Sequence, residues 1–156
     1  MRAFGRWAGV AAIFAAVSAC SSPREEPVAS RAATALHPNE TLELRALIEE
    51  YAEAYDVPTD LVQRVVIRES RHTPEAQNGP YYGLMQILPE TARSMGYQGD
   101  PNGLLDPETN LRYAVKYLRG AWMVADGSHD AAVSWYARGY YYEAKRRGLL
   151  EETGLR

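Results

Sequence analysis

Leu61-Val62-Gln63-Arg64-Val65-Val66-Ile67-Arg68-Glu69 is the stretch on which the fold of this chain turns. Leu61, Val62, Val65 and Val66 recur at helical spacing, and Glu69 continues their stripe, four past Val65 and three past Val66. A helix with one apolar face must bury that face against other elements. The stripe therefore predicts a core-facing helix that ends in a carboxylate on its greasy side. Such a carboxylate is costly to ionise and tends to keep its proton. The competing reading is a half-exposed Glu69 paired with Arg68 or Arg71, the usual fate of a lone glutamate.

Outward from this helix the chain continues as helices. Asn39 or Thr41 can cap a helix running to about Tyr55, with Leu42, Leu44, Leu47, Ile48, Tyr51 and Tyr55 available for packing. Pro58 suits the first turn of the Glu69 helix, which should end before Pro74. Residues 72–82 read as a loop with a turn at Asn78-Gly79-Pro80. An extended or turn segment over 84–88 leads to a helix opened by Pro89 and stopped at Gly96. Asp106-Pro107-Glu108 starts a helix carrying Leu111, Val115, Leu118 and Trp122. Ser128 can cap another through Tyr136, and a last one runs from about Tyr140 to Gly148. With no useful strand alternation, the expected fold is all-α and compact, with a small hairpin possible within 76–87.

A length of 156 residues fits one domain. The N-terminal 19 residues carry Arg2 and Arg6, an apolar run from Trp7 to Val17, then Ser18-Ala19, the layout of a signal peptide. That run falls short of the roughly 20 apolar residues a spanning helix needs. Residues 20–38 read as a flexible tether with Pro23, Pro27, charges and small residues, and the folded domain is expected over 39–152. Without the first 19 residues, 15 basic and 20 acidic side chains remain of the 17 and 20 in the whole chain, a net charge of −5, which argues against nucleic acid as a partner. Eleven Tyr against two Phe suits either a sugar-binding groove or an ordinary core and rim. One cysteine, Cys20, excludes an internal disulfide. His37, His72 and His129 lack metal-ligand spacing, so no metal is expected.

Fourteen positions after Glu69-Ser70 comes Gly83-Leu84-Met85-Gln86, followed by Ile87-Leu88-Pro89-Glu90-Thr91-Ala92, then Asp106-Pro107-Glu108-Thr109-Asn110, Tyr117-Leu118 and Tyr136. In that order and spacing these resemble the soluble lytic transglycosylase family of peptidoglycan enzymes, over roughly 57–148. The resemblance implies a lysozyme-like helical domain, no cofactor, and glycan strands of peptidoglycan as partner. It implies that Glu69 is a single acid/base, which protonates the oxygen between N-acetylmuramic acid and N-acetylglucosamine. Glu69 then takes the proton of the muramic C6 hydroxyl as that hydroxyl closes on C1. A protonated carboxyl is what the first step requires. Val17-Ser18-Ala19-Cys20 resembles a bacterial lipobox, which implies cleavage before Cys20, lipid on that cysteine and a membrane anchor. Ser21, by analogy with Gram-negative sorting, points to the periplasmic side of the outer membrane.

The same resemblance implies substrate contacts for Gln86, Met85 and Tyr136, the last through a hydroxyl that reaches the catalytic carboxyl. Ser70 is expected to brace local backbone, and Asn110 to be a packing amide. On residue type alone Met85 would be core, Gln86 a capping amide and Tyr136 a core tyrosine. Gly83 would either bring backbone close to the sugar, adopt a positive φ, or simply turn the chain. Two departures stand out. The family's Tyr-Asn-Ala-Gly run is Tyr136-Ala137-Arg138-Gly139 here, which leaves Arg138 as the nearest polar group to replace the amide. A serine usual in the loop after the acid is matched by about Asn78, with Tyr81 or Tyr82 beside it to stack on a sugar or to pack. Lys145-Arg146-Arg147, near Arg138, reads as a solvated helix face, with contact to peptide-stem carboxylates at the end of a groove as the alternative. A hydrolase of lysozyme type would need a second carboxylate, for which Glu75, Asp100 and Asp106 are candidates. A non-catalytic glycan-binding protein of the envelope is the remaining alternative.

Overall fold

In the computed structural model residues 35–155 are described. The expected signal peptide, Cys20 and most of the tether lie outside them. The chain folds as helices α1 (Leu42–Ala54), α2 (Thr59–Glu69), α3 (Pro89–Ser94), α4 (Pro107–Met123), α5 (His129–Arg138) and α6 (Tyr141–Arg147). A hairpin of β1 (Gln77–Asn78) and β2 (Tyr81–Tyr82) follows α2, and a 3₁₀ helix, Pro101–Leu105, precedes α4. The architecture is all-α and lysozyme-like, with the hairpin as its only sheet among the described residues.

The helix ends follow from side-chain chemistry. Thr41 accepts from the Leu44 N–H at 3.1 Å, Asp106 from Thr109 at 2.8 Å and Ser128 from Ala131 at 3.3 Å, so each caps its helix by satisfying a free N-terminal donor. Pro107 occupies the first turn of α4, where its missing N–H costs nothing. Pro58 stands just before α2, at the cap position. The 3₁₀ helix was not foreseen; Asp100 caps it by accepting from Asn102 at 2.9 Å.

α4 is the central element and packs on α1, α3, α5 and the 3₁₀ helix. Its Leu111, Ala114, Val115 and Leu118 are wholly buried, as are Leu61, Val62 and Val66 of α2. Truncating one such leucine to alanine costs about 2–5 kcal/mol, so these faces fix the helices firmly. α2 meets α1 on one side and α5 on the other. That leaves its C-terminal end, Glu69, beside the hairpin and the end of α5.

The folded unit begins at Ala35, earlier than the expected tether allows. The ring of His37 stacks on that of His72 at 5.3 Å, and the His37 backbone N–H donates to Glu40 at 2.8 Å. Glu40 is buried and also accepts from Arg45 and Gln63. Gln63 in turn bonds the buried His72 at 2.8 Å. This polar network joins His37, from the end of the expected tether, and Glu40 to Gln63 of α2 and to His72.

Candidate active site

A cleft of about 590 Å³ opens at the end of α2. Arg68 and Glu69 line it from α2, Asn78 and Tyr81 from the hairpin, and Gln86, Ile87 and Leu88 from the segment before α3. Tyr117 of α4 and Tyr136, Ala137, Arg138 and Gly139 at the end of α5 close its far side. A shallower depression of about 290 Å³ shares Arg68, Glu69, Asn78 and Gln86 with the cleft and adds Ser70. Glu69 therefore stands between two concave surfaces.

The Glu69 side chain is 23% exposed, and its ion-pair partner is Arg68, with Nε at 3.4 Å. Burial raises its pKa, and the Arg68 charge only partly offsets that. Both readings of Glu69 thus hold in part: it has an arginine partner, yet it holds its proton more firmly than an exposed glutamate. Ser70 ends α2, and its hydroxyl donates back to the Val66 carbonyl at 3.3 Å. It braces the helix end and does not point a nucleophile at the cleft.

Three placements correct the sequence reading. The Met85 side chain does not line the groove: it is wholly buried and packs in the core. Its backbone carries the interactions instead, the N–H donating to Asn110 Oδ1 at 3.0 Å and the carbonyl accepting from Tyr136 at 2.9 Å. The Tyr136 hydroxyl is accordingly engaged with Met85, not with the Glu69 carboxyl. Tyr136 is still close enough to feel that carboxylate: burial first, then the Glu69 charge, hold its phenol well above the ordinary pKa. Gln86 does not offer its full amide to a ligand. It adopts a left-handed backbone (φ 49°), and its Nε2 donates to Ala76 and Gly83 carbonyls at 3.0 and 2.9 Å, which leaves the side-chain oxygen as the acceptor for the cleft.

Gly83 is required for a reason other than the approach of a sugar. Its φ is 72°, and a Cβ there would collide with the Asn110 side chain and the Leu104 carbonyl. Asn110 is more than a packing amide. Wholly buried, it donates to the Tyr82 and Leu104 carbonyls at 2.9 and 2.8 Å while accepting from Met85. It ties the hairpin, the Gly83–Gln86 turn and the 3₁₀ helix to α4. Nothing in spacing marked this role; only the position after Asp106-Pro107-Glu108-Thr109 did.

Asn78 lies exposed on β1 and lines the cleft. Tyr81, 42% exposed, also lines it, whereas Tyr82 packs against the core. Tyr117 was singled out in the sequence without a role. Its ring lies 5.4 Å from Tyr136 and 4.8 Å from Tyr140, and burial pushes its pKa up to about 12, so its hydroxyl stays neutral at the cleft wall. The hydrolase candidates are placed elsewhere: Asp100 and Asp106 cap helices, and Glu75 does not line the cleft. Glu143 and Asp126 pair with Arg146 and Arg147, in keeping with a solvated face. Among the described residues no cluster of His, Cys, Asp and Glu could hold a metal.

The transglycosylase SLT domain matches residues 46–148, which include α2, the cleft and α5. The chain belongs to the SLT transglycosylase family. A peptidoglycan transglycosylase, gp16, of Escherichia phage T7 is 34% identical over 98 residues. That match covers 60% of this chain and 7% of the phage protein, so the chain spans only a small part of its relative's length. No solved structure matches the chain significantly. Within the SLT match lie Glu69, Ser70, Asn78, Met85, Gln86, Asn110 and Tyr136.

Proposed function

We propose that this SLT domain is a lytic transglycosylase that cleaves the β-1,4 bond between N-acetylmuramic acid and N-acetylglucosamine without water. The observation that carries this reading is that, among the described residues, Glu69 is the only carboxylic acid lining the cleft, and that burial favours its protonated form. The protonated carboxyl donates to the glycosidic oxygen as the C1–O bond breaks. The resulting carboxylate then accepts the proton of the C6 hydroxyl, whose oxygen bonds to C1 and yields a 1,6-anhydro end. Because the nucleophile belongs to the sugar itself, orientation replaces a second carboxylate. A glycosidase that activates water needs two acids, and the cleft supplies one.

The other residues serve this carboxyl. Tyr136 holds the Met85 carbonyl, which fixes the Gly83–Gln86 turn next to Glu69. Gln86 Oε1 and Asn78 face sugar hydroxyls and amides, Tyr81 offers a ring face, and the two concave surfaces flanking Glu69 receive the sugars on either side of the bond. Ser70 supports the helix end. Digestion of purified peptidoglycan followed by mass spectrometry tests the proposal. Anhydro-muropeptides are expected; reducing ends would mean hydrolysis, and intact sacculi a binding protein.

We also propose that Cys20 carries lipid and anchors the domain at the periplasmic side of the outer membrane. The support is Val17-Ser18-Ala19-Cys20-Ser21 with the apolar run before it. Radioactive palmitate fed to cells should label the wild type and not Cys20→Ser; an unlabelled wild type removes the anchor.

A further inference from the structure

Arg138 brings a positive charge to the wall of the cleft. It is the last residue of α5. Its guanidinium carbon lies 3.8 Å from the centroid of the Trp135 ring. Stacking on an indole restrains a long side chain and leaves the edge of the guanidinium free to donate. Arg68 has Glu69 as counter-ion. Arg138 makes no ion pair among the described residues. Among the described residues the cleft is thus lined by two cations and one acid. When Glu69 carries its proton, as the proposed chemistry requires, both guanidiniums face the cleft without a negative partner.

Hydroxyls and acetamides of a glycan backbone can accept single bonds from a guanidinium but leave its charge unpaired. A carboxylate neutralises the charge and matches the planar fork of donors. We propose that Arg138, held on Trp135, is a specificity-determining residue that binds a carboxylate of the substrate, so that the cleft prefers acidic strands over neutral ones. This rests on peptidoglycan being the substrate. Peptidoglycan offers two such carboxylates: the lactyl group of a strand stripped of its peptides, and the stem peptide itself. The competing role is local, a cation at the C-terminus of α5 that complements the helix dipole.

The test is equilibrium binding in a Glu69→Gln background, so that no turnover intervenes. Three ligands are titrated at low and high salt: a neutral N-acetylglucosamine oligomer, glycan strands freed of peptide by an amidase, and strands that keep their peptides. Arg138→Gln should weaken at least one acidic ligand about five- to tenfold, as expected for a hydrogen bond to a charged group. It should also flatten the salt dependence of that ligand and change the neutral oligomer less than twofold. Arg138→Lys, which keeps the charge without the fork, should recover part of the loss. Arg64→Gln, which removes a charge from the exposed pair with Asp130, is the control. Loss confined to the stripped strands assigns the lactyl carboxylate, and loss confined to the peptide-bearing strands assigns the stem. Equal loss on all three ligands, or none on either acidic one, overturns the proposal. The outcome is separable from the catalytic reading: selective loss in a protein that forms no anhydro ends would remove the chemistry and keep the carboxylate site.

Discussion

Replacing Asn110 by Ala should be strongly destabilising although the side chain lines no part of the cleft. Its side chain makes three hydrogen bonds, two of them buried and the one to Tyr82 part-buried. The Tyr82 carbonyl keeps a second partner, the Ile87 N–H at 3.1 Å. The Met85 N–H has no other acceptor among the described residues, so it is orphaned in a buried site, at about 1–3 kcal/mol. The lost bond to Leu104 and the void left by the amide add about 1 kcal/mol each. The expected loss is about 3–5 kcal/mol, a large part of the roughly 5–15 kcal/mol that holds a domain folded. Urea unfolding at neutral pH, followed by circular dichroism and tryptophan fluorescence, reads it directly. Asn110→Asp sharpens the test. It keeps the acceptor for Met85 but sets a carboxylate against two carbonyls, so it should be as damaging at pH 7 and partly relieved in acid, where the protonated carboxyl can donate. A loss under about 1 kcal/mol for Ala, or a pH-independent Asp variant, would refute the view that this amide holds the Gly83–Gln86 turn.

Three further outcomes follow from the same geometry. Glu69→Gln should abolish turnover yet raise the melting temperature. Burial raises the folded-state pKa of Glu69, so its contribution to stability is full in acid and lost as pH rises through that pKa; calorimetry should show the Gln advantage growing from pH 4 to pH 8. Tyr136→Phe should cost about 1–2 kcal/mol through the lost bond to Met85 and should lower kcat on peptidoglycan while the fold persists, with unchanged turnover counting against a positioning role. Glu40 behaves oppositely to Glu69: burial opposes its ionisation, but Arg45, the His37 N–H and Gln63 together hold its pKa at about 2 against an ordinary 4.5. Its stabilisation is therefore full above 4.5 and lost as pH falls toward 2, and Glu40→Gln should flatten the melting temperature over that window. Burial also lowers the His72 pKa, which adds a loss of stability below about 6.5 in the wild type.

α1, α4 and α5 were legible because each carries an apolar face and a capping side chain at its start, and α2 through its apolar stripe; α3 and α6, which have no side-chain cap, were marked by Pro89 and Gly96 and by Gly148. The Leu61–Glu69 stripe, the Asp106-Pro107 start and the Ser128 cap all stand where local chemistry put them. The hairpin was legible only as a turn, since strands of two residues leave no alternation to read. The site was legible in its residues but not in their roles. Whether Met85 or Gln86 faces the cleft depends on the left-handed backbone at Gln86, which no periodicity reports. The partner of the Tyr136 hydroxyl is a backbone carbonyl, and a sequence cannot tell one carbonyl from another. The stack of His37 on His72 joins residues far apart in the chain, so residues 37 and 38 looked like linker until that long-range partner was placed.

Burial lets Glu69 keep its proton in the cleft at pH values where an exposed glutamate has lost it. Carbon-13 labelling of glutamate, with the Glu69 carboxyl resonance assigned from its absence in Glu69→Gln, gives the titration of this one group in the intact protein. A midpoint clearly above the ordinary 4.5 is predicted. A midpoint at or below 4.5 would mean that Arg68 and solvent outweigh burial, and that Glu69 is no acid for breaking a glycosidic bond near neutrality.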